Sequence, residues 1–184
     1  MNANIKDARE RMDKSIEAFR LEITKIRTGK ATTALLDGIK VNYYGNPTPL
    51  NQTANVSVLD AHTLSITPWE KSLVGEIDRA ILTADLGLNP VNDGTNIKVP
   101  IPPLTEERRK DMVKLVKKFG EDAKIAVRNV RRDANDHLKK QEKEKEISED
   151  QRHDFEKEVQ DLTDAHITKI DDMIKHKEKE IMEV

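Results

Sequence analysis

Cysteine is absent from this chain of 184 residues, and aromatic side chains make up only 3% of it. The first absence excludes a disulfide framework and a cysteine-based zinc site, and it fits a reducing compartment. The second, beside 36% charged residues, is the composition of long amphipathic helices whose seams leave no room for bulky rings. Long apolar runs are missing too. No early stretch has the length of a signal-peptide core, and none approaches a membrane span, so the chain is expected in the cytoplasm and away from membranes. A chain of this length can hold one large or two small domains, each with a real core. Net charge is nearly absent, at a formal -2, but that value conceals strong segregation.

Residues 108–132 hold ten Lys or Arg against three acids, a balance of +7, whereas residues 142–164 hold four against ten, a balance of -6. In the basic stretch Met112, Val116, Phe119, Ala123, Ala126 and Val130 recur at intervals of three and four, while Lys110, Lys117, Lys124 and Arg131 recur every seven. One helical face can therefore pack and another can hold phosphates. At roughly 1.5 Å per residue the row from Lys110 to Arg131 is about 31 Å long, a length suited to a groove or a structured RNA surface. Arg128, Arg131 and Arg132 fall within reach of one patch. The plain alternative is a solvated charged face. The gathering of arginine at one end favours phosphate, because the planar guanidinium fork recognises phosphate with two bonds.

Three long helices are expected. The first carries Ile5, Met12, Phe19 and Ile26 with Ala8, Ile16 and Ile23 on the same face, and ends near Thr28 and Gly29. A second begins at Thr105 and runs to about Lys145, with Glu106 and Glu107 at the positive end of its dipole. The third starts at Ser148, where Ser148 and Gln151 suit a capping box, and continues through Phe155, Val159, Leu162, Ile167, Ile170, Ile174 and Ile181. Single-stripe helices of this length are satisfied by a three-helix bundle, the last two antiparallel. Between the first and second helices the character changes. Residues 30–104 contain all seven prolines, short extended runs at 39–44, 54–59, 63–67 and 96–99, a turn at Asp60-Ala61-His62 and one helix at 69–84. The fold class is thus α+β: residues 1–29 and 105–184 form the bundle, and residues 30–104 a small inserted β/α/β domain. Gly29, Lys30, Pro102, Pro103 and Leu104 mark the two junctions, which allow hinge-like reorientation.

Catalytic machinery is not found. Gly29-Lys30-Ala31-Thr32 has the look of a phosphate-loop ending, but Thr24 and Ala31 occupy the required glycine and hydroxyl positions. The five histidines are dispersed and read as surface or edge residues, so no metal site is expected. The acids of residues 142–164 are interleaved with lysines, as in a solvated helical hairpin. Tyr43, Tyr44 and Trp69 read as strand-core or domain-surface packing in preference to base stacking. No cofactor is implied.

Arg11-Met12-Asp13-Lys14, Lys25-Ile26-Arg27-Thr28-Gly29, Leu35-Leu36-Asp37-Gly38-Ile39, Tyr43-Tyr44-Gly45, Asp85-Leu86-Gly87-Leu88-Asn89-Pro90, the run from Pro100 to Lys110 and, most strongly, the run from Ala126 to Asn135 stand in order along the chain. In these motifs the chain resembles the ribosome recycling factor family nearly end to end. Lys30 stands where the family commonly has arginine, which keeps the charge but loses the planar fork. The resemblance implies an L-shaped, two-domain, non-enzymatic translation factor, expected as a monomer. It implies action after termination in the intersubunit space, with the bundle on large-subunit ribosomal RNA. Elongation factor G and GTP would then split the ribosome and release mRNA and deacylated tRNA. Arg128, Arg131 and Arg132 would be the main RNA contacts, Arg27, Lys30 and Arg109 weaker ones near the same end, with Lys117 and Lys124 from the basic row. A coiled-coil chaperone or adaptor for protein clients, and more remotely a carboxylate hydrolase, are the competing classes. Exposed apolar helix tips would favour the first and a pocket of convergent acids the second.

Overall fold

The computed structural model describes residues 2–183. Its chain divides into two compact units: a helical unit built from the chain up to Ile26 and from Arg109 onward, and an inserted unit, Arg27–Arg108.

The helical unit contains α1 (Ala3–Thr24), α3 (Glu106–Lys143, whose first turn precedes the division) and α4 (Glu149–Met182). Each end has a physical cause. Asn2 caps α1 through its side-chain oxygen, which accepts from the Asn4 N–H at 2.8 Å. Thr105 Oγ1 accepts from the Arg108 N–H at 3.2 Å. Ser148 and Gln151 form the complete capping box, with bonds of 3.1 and 2.9 Å. Asn4 Nδ2 donates to Gln141 Oε1 at 2.8 Å, pinning the start of α1 to the end of α3. α1 stops at Thr24 instead of near Gly29. The Thr24 hydroxyl turns back to the Arg20 carbonyl at 2.7 Å, and the Ile26 N–H bonds only three residues back, to Ile23.

One core runs through this unit, with Ile5, Met12, Ile16, Phe19 and Ile23 of α1 against Val116, Val127 and Leu138 of α3 and Val159, Ile170 and Ile181 of α4. Two expected stripes shift by one position. In α3 Val127 is buried and Ala126 only half so, and in α4 Thr163 and His166 take core positions flanked by half-buried Leu162 and Ile167. Burial of these two polar groups is made tolerable by hydrogen bonds. The Thr163 hydroxyl donates to the Val159 carbonyl at 2.7 Å. His166 bridges the Leu162 carbonyl and Asp13 Oδ1, each at 2.7 Å, so this histidine, expected at the surface or an edge, is buried as an α1–α4 clasp.

The inserted unit contains a hairpin, β1 (Lys40–Tyr43) with β2 (Asn46–Pro49), and a four-stranded antiparallel sheet of order β3-β4-β6-β5. Those strands are β3 (Ala54–Asp60), β4 (Thr63–Pro68), β5 (Val91–Asn92) and β6 (Ile97–Pro100), with α2 at Val74–Thr83. Leu64 pairs with Val99 and Ile66 with Ile97, so alternation puts all four on one face, fully buried in one core with Ile77 and Ile81 of α2. The helix expected from Trp69 begins as a 3-10 turn, Lys71–Leu73, before α2 takes over. β2 and β5 escape notice in the sequence because one is Asn-Pro-Thr-Pro and the other two residues long.

The units divide three residues before the expected first boundary and four after the second. The crossing segments are stitched to the β3–β4 turn: the Ala31 N–H bonds the Ala61 carbonyl at 2.8 Å, and the Ile101 N–H bonds the His62 carbonyl at 2.7 Å. His62 Nδ1 lies 3.1 Å from the Gly29 carbonyl. Gly29, at φ +79, leaves only 3.2 Å between the place of a Cβ and the Leu104 nitrogen. Gly29, Lys30, Pro102, Pro103 and Leu104 therefore all belong to the inserted unit.

Candidate nucleic-acid interface

The buried seam of α3 is Val116, Gly120, Ala123, Val127, Val130, Ala134 and Leu138, spaced three or four apart. Small residues there let the helices close. A Cβ on Gly120 would lie 2.2 Å from Ile174 Cδ1 and 2.8 Å from its Cγ1. This seam sets the fate of each cation around it.

The row spaced by seven lies along the border with α4. Lys124 Nζ is 2.5 Å from Asp171 Oδ1 and 3.2 Å from Glu121 Oε1, with its side chain only 13% exposed. The hydrogen bond to Asp171 raises this ammonium above the usual lysine range, outweighing the opposing effect of desolvation. Lys117 Nζ lies 3.4 Å from Glu178 Oε1. Arg131 Nη1 donates to Gln160 Oε1 at 3.4 Å and is half-buried. A phosphate seeking Lys124 would have to compete with two carboxylates already in place.

A different row faces outward. At 100° per residue, Lys114, Lys118, Ile125 and Arg132 fall opposite the seam with Arg128 beside them. The first four are exposed and Arg128 is half-buried. Lys114, Lys118 and Arg128 have no ion-pair partner among the described residues. Arg132 makes one long bond, Nη1 to Asn129 Oδ1 at 3.5 Å. From Lys114 to Arg132 this row spans about 27 Å. The sequence reading missed Lys114 and Lys118, which line up with Arg132 at intervals of 18 and 14 residues, because the longer lysine row from Lys110 overshadowed them.

Of the remaining candidates, Arg109 opens the helical unit and stands 19 residues before Arg128 in one continuous helix. That is about 28 Å along the axis, so Arg109 and the arginine triad are not at the same end. Arg27 and Lys30 belong to the inserted unit, where Arg27 Nη2 donates to the Leu86 carbonyl. Thus Arg128 and Arg132 share one outward face, Arg131 borders it, and Lys117 and Lys124 are tied to α4.

Among the described residues no group of three or more His, Asp or Glu is placed to hold a metal ion. Among those residues no helix is long and apolar enough to cross a membrane. Tyr43 is half-buried against the core of the inserted unit, as expected, whereas Tyr44 and Trp69 depart from the packing expected of them, at 75% and 66% exposed.

The sequence profile described as ribosome recycling factor matches residues 19–182. A ribosome-recycling factor of Geobacillus kaustophilus is 57% identical over 98% of this chain and 97% of its own. That of Nitratidesulfovibrio vulgaris is 53% identical over 100% and 99%. Among solved structures, a solution structure of ribosome recycling factor is 41% identical at TM-score 0.78, covering 98% of this chain and 96% of that one. A second, the Thermus thermophilus factor in models with Escherichia coli elongation factor G bound to the post-termination complex, is 44% identical at TM-score 0.65, covering 98% and 97%.

Proposed function

The chain belongs to the ribosome recycling factor family, and from that premise we propose how its two units divide the work. It acts after termination, on a ribosome that still holds mRNA and deacylated tRNA, and with elongation factor G and GTP it splits the subunits. The outward row of α3, with Arg128 and Arg132 at its centre and Lys114 and Lys118 extending it, docks on large-subunit ribosomal RNA. The observation that carries this reading is that row of cations lacking carboxylate partners. Phosphate contacts of this kind fix position without reading sequence, which suits a protein that recognises RNA by shape. Arg131 adds a contact at the edge of the row.

The protein has no hydrolytic role of its own. Energy comes from the partner, and the inserted unit receives it: the two chain crossings next to Gly29-Lys30 and Pro102-Leu104 carry the reorientation. Subunit splitting followed by light scattering, with each component omitted in turn and with a non-hydrolysable GTP analogue, tests this division. Splitting should require the protein, elongation factor G and hydrolysable GTP together. Efficient splitting without elongation factor G, or GTP turnover by the purified chain, would overturn it. A protein inert in every combination that nevertheless suppresses aggregation of an unfolded client would restore the adaptor reading.

A further inference from the structure

The two most exposed large hydrophobic residues described, Tyr44 at 75% and Trp69 at 66%, both belong to the inserted unit, where the Tyr44 hydroxyl donates to Glu70, the chain neighbour of Trp69. Tyr44 and Gly45 form the two-residue β1–β2 turn with φ of +49 and +86. Such a turn ordinarily takes Asn or Gly, and a tyrosine in the left-handed region is strained. The turn does not need the ring, because the Gly45 N–H is already held by Asn42 Oδ1 at 2.9 Å. Strain kept at a position where a smaller residue would serve points to use of the ring.

Glu70 holds that ring in place. The hydroxyls of Tyr43 and Tyr44 donate to its two oxygens, each at 3.0 Å, and the two rings meet edge to face at 4.7 Å. Both phenols are raised above their usual range, first by these hydrogen bonds and then by the charge of Glu70. No cation pairs with Glu70 among the described residues. The hydroxyls are spent on Glu70, whereas the exposed faces of Tyr44 and Trp69 are not.

We propose that Tyr44, Trp69 and Glu70 form a docking site for an arginine or lysine side chain presented by a protein partner during recycling. Ring faces attract a cation, and a neighbouring carboxylate without its own counter-charge strengthens that attraction. The same carboxylate repels phosphate, so this surface selects protein where α3 selects RNA. The inference rests on the recycling reading and adds a partner chemistry to it.

The test places photoreactive p-benzoylphenylalanine at position 69 of the full chain, bound to purified ribosomes with elongation factor G and GTP. The cross-link should fall on a protein segment containing an arginine or lysine. Trp69→Ala and Glu70→Gln should each slow splitting about tenfold at subsaturating protein, with ribosome pelleting unchanged. Replacing the cross-linked cation by glutamate should reproduce the loss, and pairing that change with Glu70→Lys should restore splitting. Cross-links to ribosomal RNA alone, no cross-link, or wild-type splitting by Trp69→Ala, whose exposed ring the fold does not need, would each overturn the site. Those results with normal pelleting leave the recycling reading standing. Failure of the unaltered protein to bind ribosomes would strike that reading instead.

Discussion

Two rows of cations run along α3, and they differ in what stands opposite them. Lys117 and Lys124 face α4, where Glu178 and Asp171 meet them. Lys114, Lys118 and Arg128 face away from the seam and meet no carboxylate among the described residues. Residues of one type on one helix thus serve two purposes: the inward row joins helices, and the outward row is left for a ligand. A sevenfold repeat is evidence of a shared face, but it does not say whether that face is open or closed. In this bundle the longer heptad row is the one that meets carboxylates of α4, at Lys117 and Lys124, because heptad spacing is also the spacing of the neighbouring helix.

The comparison breaks most decisively if reversing the outward charges has no effect. Arg128→Glu combined with Arg132→Glu should weaken large-subunit binding by about 100-fold or more and reduce the magnitude of the log affinity against log salt slope by roughly 1.4 or more, as loss of two phosphate contacts requires. Helix content by circular dichroism should stay as it was, since Arg132 makes only one long internal bond. Unchanged affinity across a salt titration would remove RNA docking from this face.

Next in size is the seam that separates the rows. Gly120→Ala places a methyl 2.2 Å from Ile174 Cδ1 and forces that buried side chain to move. Overpacking costs about 1–3 kcal/mol, and better helix propensity offsets about 1 of it. A net loss of up to about 2 kcal/mol in urea unfolding is expected, and a gain in stability would show that Ile174 has room to yield.

These residues also show how far the sequence could be read. The three helices, their caps and the capping box at Ser148 follow from local chemistry, and the structure has them within a few residues. Which of two neighbouring positions is buried did not follow. Ala126 and Val127 are equally apolar on paper, and Thr163 and His166 enter the core only because backbone carbonyls and Asp13 are there to satisfy them. In the inserted unit, β2 was hidden by its prolines. The exposure of Tyr44 was hidden because a left-handed tyrosine is not what turn statistics lead one to expect. Arg128 and Arg132 were legible as candidates from arginine clustering, whereas the loss of Lys124 to Asp171 required a partner 47 residues away in the chain.

Arg131 tests where the border between the rows lies. Its guanidinium reaches Gln160 on α4 at 3.4 Å, yet it adjoins Arg128 and Arg132. Arg131→Ala should reduce the salt slope by roughly 0.7 to 1, about half the effect of the paired reversal. An unchanged slope would assign Arg131 to the inward row.

The smallest effect is expected at Lys124. Lys124→Met removes a cation whose side chain is 13% exposed and leaves Asp171 with 44% of its own side chain in water. A partly exposed pair of this kind contributes about 0.5–1 kcal/mol, so unfolding should show a loss of that order while ribosome affinity stays at the wild-type value. The pH dependence has a definite sign. The folded state holds this ammonium above its usual range, chiefly through the Asp171 hydrogen bond, so its contribution is fully present below the ordinary lysine value and fades as pH rises through the raised one. The stability difference between wild type and Lys124→Met should therefore be constant through neutral pH and narrow only in strongly alkaline solution. A fall in ribosome affinity equal to that of Arg131→Ala would erase the distinction between the two rows, because it would mean that RNA can take Lys124 from its carboxylates.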